Sequence, residues 1–138
     1  MSHSEVQAAV GAAEGLVKLL GIEVTEVSPD RVVATMPVTP RHHQPLGYLH
    51  GGASVSLAET VASVGCALSC PPGKVCFGLE INANHVRPKQ EGMLTAIGTA
   101  LHRGRATHVW EIRIEDEEHR LVCVSRSTVA IVPAEGGA

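Results

Sequence analysis

One carboxylate stands inside a long stretch of this chain that is otherwise uncharged. Residues 53–70 contain Glu59 as their single charged side chain, and Gly65 is their only glycine or proline. A carboxylate among apolar residues is costly to desolvate unless it is paired, hydrated or protonated. Two explanations stay open here: Glu59 is a partly exposed or hydrogen-bonded structural residue, or it takes part in chemistry.

The turn before this stretch is the second candidate for chemistry. His50, Gly51 and Gly52 lie where a loop gives way to the helix that residues 53–70 predict. The first turn of a helix has unpaired backbone N–H groups at the positive end of the helix dipole, and glycines leave them accessible. This turn can therefore stabilise a carbonyl oxygen that becomes negatively charged.

The two candidates cannot serve one reacting carbon from the same helix. With a rise of about 1.5 Å per residue, Glu59 lies about 12 Å along the helix axis from Gly51. We therefore expect the carboxylate and the glycine turn that meet one substrate to come from different copies of the chain.

The stretch has the pattern of a central helix. Apolar residues with 4-3-4 spacing form one face: Leu57, Val61, Val64 and Leu68. A second set repeats the spacing about 200° around the helix: Glu59, Ser63, Cys66 and Cys70. Both faces need cover, which predicts a helix enclosed by other elements. A membrane span is disfavoured because Glu59 and five hydroxyl side chains lie in the segment.

Six β-rich segments flank this helix. Their bounds are 22–27, 31–36, 74–86, 93–102, 106–115 and 121–132. The first two are separated by a turn and predict a hairpin. Short connections predict antiparallel neighbours among the last four, and the alternation of Trp110, Ile112 and Ile114 with charged residues predicts one solvated face.

The elements together predict an α+β fold, an antiparallel sheet around one long helix. The length of 138 residues fits a single domain spanning 1–138. We expect this domain to begin with a short helix at about 5–20 and to end with a frayed tail at 134–138.

Composition excludes several functions. Eleven basic against 14 acidic residues give a net charge of −3, which offers no general attraction for a polyanion. Only Tyr48, Phe77 and Trp110 are aromatic, too few for a platform that stacks single-stranded bases. The N-terminus lacks the pattern of a secretory signal, so we expect a cytoplasmic protein with no membrane or nucleic-acid partner.

The cysteines and histidines do not form metal-ligand motifs. The four cysteines lack C-x-x-C spacing, and the eight histidines show no H-x-x-x-H or H-E-x-x-H arrangement. We expect reduced cysteines, no metal and no other cofactor.

Several motifs together carry a family resemblance. They are HQPLGYLHGGAS at 43–54, LAE at 57–59 with Ser63, NANHVRP at 82–88, HRGR at 102–105, WEI at 110–112 and CVSR at 123–126. The chain resembles the hotdog-fold acyl-CoA thioesterases, in particular the PaaI-type branch that hydrolyses aromatic acyl-CoA such as hydroxybenzoyl- and dihydroxynaphthoyl-CoA. The resemblance covers nearly everything from residue 21 to residue 132.

The resemblance implies roles for five residues. Glu59 is expected to be the nucleophile or general base, and the Gly51 amide to polarise the thioester carbonyl. Gln44, His50 and Ser63 are expected to orient the reacting groups. The family also implies a homodimer or a dimer of dimers with active sites at the subunit interface.

Two alternative functions stay open beside thioester hydrolysis. A hotdog acyl dehydratase or hydratase is disfavoured, because residues 44–47 replace the loop expected near the histidine of such enzymes. A non-catalytic acyl-CoA-binding protein is disfavoured because Glu59 is retained.

Coenzyme A carries phosphates that the net charge cannot attract, so we expect a local basic cluster. Arg103-Gly104-Arg105 in a tight turn, with Arg87, Lys89 and Arg126 on other turns and strands, is the candidate for this cluster; the alternative is an ordinary solvated hairpin tip. The resemblance places the nucleotide in this region, and His85 and Ser125 are further candidates for binding substrate or CoA. Small residues near Glu59 leave room for a ring or an alkyl chain. Acyl-carrier-protein thioesters stay open as substrates.

Overall fold

The computed structural model describes residues 2–135. In chain order its elements are α1 (His3–Ala12), α2 (Leu16–Leu19), β1 (Glu23–Ser28), β2 (Arg31–Val38), a 3-10 turn (Pro40–His42), α3 (Gly51–Leu68), β3 (Lys74–His85), β4 (Gly92–Arg103), β5 (Thr107–Glu115) and β6 (Leu121–Pro133). The central helix and all six predicted strands are present, with bounds that differ by a few residues.

All strands belong to one antiparallel sheet with the order β1-β2-β4-β5-β6-β3. The inner face of this sheet wraps around α3, which contacts every strand. Trp110 shows how closely the layers pack, because its buried indole lies where a side chain on Gly65 would be. This is the predicted α+β hotdog architecture.

Helix α3 is the core helix of this fold. Its 18 residues are long enough and, with a mean hydropathy of 1.2, apolar enough to cross a membrane, and half of them are buried in the fold. The buried residues include Leu57, Val61 and Val64, the predicted apolar face. The opposite face, with Glu59 and Ser63, is only partly covered within one chain.

One predicted strand pairing is wrong. Segments 74–86 and 93–102 were expected to be neighbours, but β3 pairs with β6, and β4 lies between β2 and β5. Residues 86–91 can span about 20 Å when extended, whereas three strand spacings of about 4.8 Å require about 14 Å. A short link can therefore cross the end of the sheet.

The N-terminal helix is also divided. The single helix predicted at about 5–20 is two helices, because Gly15 adopts a φ of 127° that favours glycine and interrupts the helical path. At the other end β6 stops at Pro133, and the Ala134 N–H donates to the Gly73 carbonyl at 2.9 Å. Residues 136–138 of the predicted tail lie outside the described residues.

Candidate active site

The loop before α3 and the link between β3 and β4 enclose one end of the central helix. They form a cleft of about 540 Å³ whose polar lining comes from Gln44, Gly51, Ser54, His85 and Arg87. We term it the glycine cleft. Three different segments of the chain converge there, because the 86–91 link crosses the sheet next to the start of α3.

The start of α3 leaves one backbone donor open. His50 precedes the helix, and its Nδ1 accepts the Gly52 N–H at 2.7 Å. The His50 carbonyl accepts the N–H groups of Ala53 and Ser54 at 2.9 and 3.4 Å. Within residues 2–135 the Gly51 N–H has no hydrogen-bond partner. The Gly51 amide is therefore the donor that the helix start can offer to a ligand.

His85 and Gln44 lie around this donor. A Cβ at residue 51 would be 2.9 Å from Nε2 of His85, so glycine allows the imidazole to lie against the helix start. Gln44 Oε1 accepts the N–H groups of Leu46 and Tyr48 within its own loop. The Gln44 amide NH₂ has no partner among the described residues, which leaves it able to donate to a ligand.

A second cleft, about 450 Å³ in volume, lies between α3 and the two N-terminal helices. Ser56, Glu59, Thr60, Ser63 and Val64 of α3 line one side. Apolar residues of α1 and α2 and of their connection line the other: Ala9, Val10, Ala13, Leu16 and Val17. We term it the glutamate cleft, because Glu59 is its single charged side chain.

Glu59 has an unusual setting for a helical carboxylate. Its Oε1 lies against Gly78, at the irregular position of β3 where the register with β6 shifts, and a side chain at residue 78 would displace it. Within residues 2–135 the carboxylate has no ion-pair or hydrogen-bond partner, and it is half-buried. Of the structural explanations, partial exposure therefore holds and hydrogen bonding does not.

Ser63 lies one turn beyond Glu59 and keeps its hydroxyl available. Ser56 and Thr60 donate to the carbonyls of Gly52 and Ser56, at 2.9 and 2.7 Å. In the described residues Ser63 makes no such bond, although it has the same helical backbone. Its hydroxyl can therefore orient a group that is bound next to Glu59.

The predicted catalytic residues thus divide into two groups. Gln44 and Gly51 line the glycine cleft, with His50 at the helix start beside it, whereas Glu59 and Ser63 line the glutamate cleft. The two clefts share no lining residue. One chain does not bring the glycine amide and the carboxylate together.

The predicted basic cluster does not form within one chain. Arg87 lies at the glycine cleft, but Arg103, Gly104 and Arg105 lie at the far end of β4, whose twelve residues span about 36 Å. Arg103 Nη1 donates to the Pro29 carbonyl at 3.1 Å. The Gly104 N–H donates to the Thr107 carbonyl at 2.8 Å, so it serves the turn.

Lys89 forms an ion pair with Glu117 and is not part of a basic cluster in the described residues. Its ammonium lies 2.6 Å from Glu117 Oε1, and Glu117 Oε2 accepts the Met93 N–H at 2.9 Å. The hydrogen bonds from Lys89 and Met93 lower the pKa of Glu117 to about 2. The pair holds the 86–91 link in place, and the Lys89 carbonyl also accepts the Leu49 N–H.

Ser125 and Arg126 face opposite sides of the sheet. Ser125 pairs with Ile112 on the inner face and is buried, with no partner for its hydroxyl in the described residues. Arg126 is exposed on the outer face, opposite Glu111. The two side chains cannot contact one nucleotide from the same chain.

The four cysteines are free thiols. Burial raises the pKa of Cys70 to about 11 and that of Cys76 to about 12. Among residues 2–135 no three His, Cys, Asp or Glu side chains are grouped so as to hold a metal ion.

Ser54 and Tyr48 line the glycine cleft, although the sequence alone predicts no role for them. Ser54 is 0% exposed, and its hydroxyl has no hydrogen-bond partner in the described residues. The hydroxyl can bond to water or to a ligand in the cleft. A serine at the fourth position of an apolar helix was the available signal, but its lack of a partner is visible only in three dimensions.

Comparison with known proteins gives consistent results. The family model described as Thioesterase superfamily matches residues 46–123. The chain is 51% identical over 117 residues to a protein of Listeria monocytogenes named 1,4-dihydroxy-2-naphthoyl-CoA hydrolase, covering 85% of this chain and 95% of that one. It is 43% identical over 131 residues to the proofreading thioesterase EntH of Cronobacter turicensis, covering 94% and 96%.

Solved structures show the same fold. The crystal structure of thioesterase HI1161 from Haemophilus influenzae superposes with a TM-score of 0.86 at 42% identity, covering 96% of this chain and 92% of that one. These similarities confirm the family resemblance that the motifs carry.

Proposed function

This chain belongs to the thioesterase superfamily and hydrolyses thioesters, and we propose that its substrates are aromatic acyl-CoA thioesters, with Glu59 as the catalytic carboxylate. The observation that carries this proposal is the half-buried Glu59 carboxylate, which has no partner among the described residues and faces an apolar cleft. The name of the Listeria relative supports an aromatic acyl group.

We propose that one active site combines the glutamate cleft of one copy with the glycine cleft of another. The division of Glu59 and Gly51 between clefts that share no residue supports this arrangement. In one helix the two groups are separated by about 12 Å along the axis, too far to act on one carbonyl.

The edge strand β3 is the surface we propose for pairing two copies. It is twelve residues long and ends the sheet, and Phe77 and Leu79 on it are 61% and 63% exposed. Natural proteins rarely leave so long an apolar edge uncovered. Because Gly78 of β3 also touches Glu59, pairing along this edge would bring a second copy close to the carboxylate.

Two routes of hydrolysis fit these groups. Glu59 attacks the thioester carbon, CoA thiolate leaves, and water then cleaves the resulting anhydride; or Glu59 takes a proton from water, which attacks the same carbon and expels the thiolate. In both routes the partner's Gly51 N–H stabilises the carbonyl oxygen as it becomes negative. Gln44, His50 and Ser63 orient the reacting groups.

CoA binding is proposed for arginines of both copies. Arg87 lines the glycine cleft, while Arg103 and Arg105 lie about 36 Å away along β4, so the two sets serve one nucleotide only from different chains. Acyl-carrier-protein thioesters stay open as alternative substrates. We further propose a cytoplasmic location and no need for a metal or other cofactor.

The direct test is Glu59→Gln, assayed by thiol release from benzoyl-CoA. We expect turnover to fall at least about 100-fold, the scale of a lost base or nucleophile, with an unchanged circular dichroism spectrum. Glu111→Gln on the outer face is the matched control and should retain activity. If Glu59→Gln keeps more than about a tenth of the activity, the assignment is wrong.

A further inference from the structure

The glutamate cleft continues into a larger cavity. A second space of about 710 Å³ shares four lining residues with it: Ala9, Val10, Ser63 and Val64. From there the space runs along α3 past Ala67 to the segment at 70–76. The two spaces adjoin along these four residues, and we term them together the acyl channel. Its length from Glu59 to Ala67 is about 12 Å along the helix.

The lining of the acyl channel is apolar along most of its length. Small aliphatic side chains of α1 and α3 form most of its walls, and the hydroxyl residues Ser56, Thr60 and Ser63 lie near Glu59. Polar groups return only at the far end, where Lys74 and the thiols of Cys70 and Cys76 lie. Such a surface gains free energy by burying an apolar ligand.

Helix α1 is a fixed wall of the channel. Its N-terminus carries a capping box in which Ser2 and Glu5 bond to each other's backbone N–H groups. Val6 is buried, and Gln7 Nε2 donates to the Val24 carbonyl of β1 at 3.1 Å. These contacts hold α1 in place as one wall of the acyl channel.

Ala9 is the residue of α1 that can control the size of the acyl group. It is exposed on α1 and lines both the glutamate cleft and the larger space, so its side chain lies where the two join. Ala8 is exposed on the same helix but lines neither space. A bulky residue at 9 would narrow the junction, and the same residue at 8 would not.

We propose that the acyl channel holds the acyl group of the substrate and that Ala9 determines how many rings it accepts. The proposal rests on the proposed function, because a thioester carbon held at Glu59 has two substituents. The CoA arm extends to the glycine cleft of the other copy, and the acyl group enters the channel. A first ring lies beside Glu59 and Ser63, and a second ring passes Ala9 towards Cys70 and Cys76.

The test compares Ala9→Trp with Ala8→Trp on benzoyl-CoA and 2-naphthoyl-CoA. Ala9→Trp should lower the ratio of kcat/KM for naphthoyl-CoA over benzoyl-CoA at least about tenfold, as expected for a filled hydrophobic subsite. Ala8→Trp should leave the ratio unchanged. Equal effects on both substrates, or none, in a folded Ala9→Trp enzyme would overturn the proposal.

A second measurement is independent of turnover and uses Glu59→Gln. Alkylation of Cys76 by N-ethylmaleimide at alkaline pH is followed by mass spectrometry, with buried Cys123 as the internal reference. Saturating 2-naphthoate should slow labelling of Cys76 at least about threefold, whereas acetate should not. If 2-naphthoate does not slow the labelling of Cys76, the proposed acyl channel is contradicted. If wild type fails to hydrolyse aryl-CoA while naphthoate still protects, the proposed substrate class fails and the channel stands.

Discussion

The two clefts of this chain differ in the chemistry of the residues that line them. The glutamate cleft lies between helices and is lined by aliphatic side chains and three hydroxyl residues, and its one charge has no partner among the described residues. The glycine cleft lies between loops and a helix start, and its lining offers polar groups with no partner among the described residues, such as the Gly51 N–H and the Ser54 hydroxyl. One cleft suits an apolar acyl group, and the other suits a polar carbonyl and CoA.

This difference supports the proposal that one active site combines two copies of the chain. A carboxylate in an apolar cleft is reactive but cannot stabilise an oxyanion, because it carries the same sign of charge. A helix start with an open N–H stabilises an oxyanion but supplies no base or nucleophile. Thioester hydrolysis needs both functions at one carbon, and each chain holds them in separate places.

The largest effect on the CoA side should come from the arginines. Replacing Arg103 and Arg105 together by Ala should raise KM for acyl-CoA about tenfold with a smaller change in kcat, because phosphate contacts act on ground and transition state alike. Arg87→Ala should act in the same way from the other end of the sheet. Thioesters of N-acetylcysteamine, which lack the nucleotide, should be affected by neither change.

Equal losses on the CoA and N-acetylcysteamine substrates would contradict nucleotide binding at that position. Arg113→Ala is the matched control, since Arg113 is exposed on the outer face of the sheet. Its Nε lies 3.9 Å from Oε2 of Glu115.

A smaller effect concerns the ion pair that anchors the glycine cleft. The pKa of Glu117 falls from 4.5 to about 2 in the folded protein, so the pair adds stability above pH 4.5 and loses it as the pH drops towards 2. Glu117→Gln should lower Tm at pH 7 by at most about 3 °C, since an ion pair with a half-exposed carboxylate contributes little. Thermal melts at pH 7 and pH 3 should show this difference shrinking at the lower pH.

Glu91→Gln removes an exposed carboxylate that has no ion-pair partner among the described residues, and it controls for the loss of one negative charge. A Tm difference for Glu117→Gln that grows on acidification would contradict the link between this ion pair and the fold.

Local patterns made most of the fold predictable. The 4-3-4 spacing of Leu57, Val61 and Val64 predicts the central helix, and period-two alternation predicts the strands, because both signals depend on neighbours in sequence. The pairing of β3 with β6 depends on contacts between segments that are distant in sequence. The short link at 86–91 therefore wrongly predicted that β3 and β4 are neighbours. Gly15 divided the N-terminal helix through its backbone angle, which composition does not reveal.

For the candidate site, too, the sequence indicated individual residues but not how they are grouped in space. Glu59 and Gly51 stood out because a charge in an apolar helix and glycines at a helix start have few structural uses. The basic residues were predicted as one cluster since they share a charge, but β4 separates Arg87 from Arg103. The sequence did not show that α1 forms a wall of the acyl channel, because this depends on how α1 packs against α3.

The central claim, one active site from two chains, is tested with two inactive variants. Gly51→Pro removes the amide donor and suits the first position of a helix, and His50 before it already has an extended backbone with φ −73° and ψ 131°. Gly51→Ala is the matched control: it places a Cβ against His85 in the same way but keeps the N–H. Gly51→Ala should therefore stay far more active than Gly51→Pro.

The decisive measurement is the activity of mixed dimers formed from Gly51→Pro and Glu59→Gln chains. Each homodimer should be nearly inactive, whereas a mixed dimer contains one intact site made of the two unmodified halves. Random pairing of equal amounts gives about half mixed dimers, so activity should return to roughly a quarter of wild type. If dimers shown to be mixed recover no activity while Gly51→Pro folds and pairs normally, the shared site is contradicted.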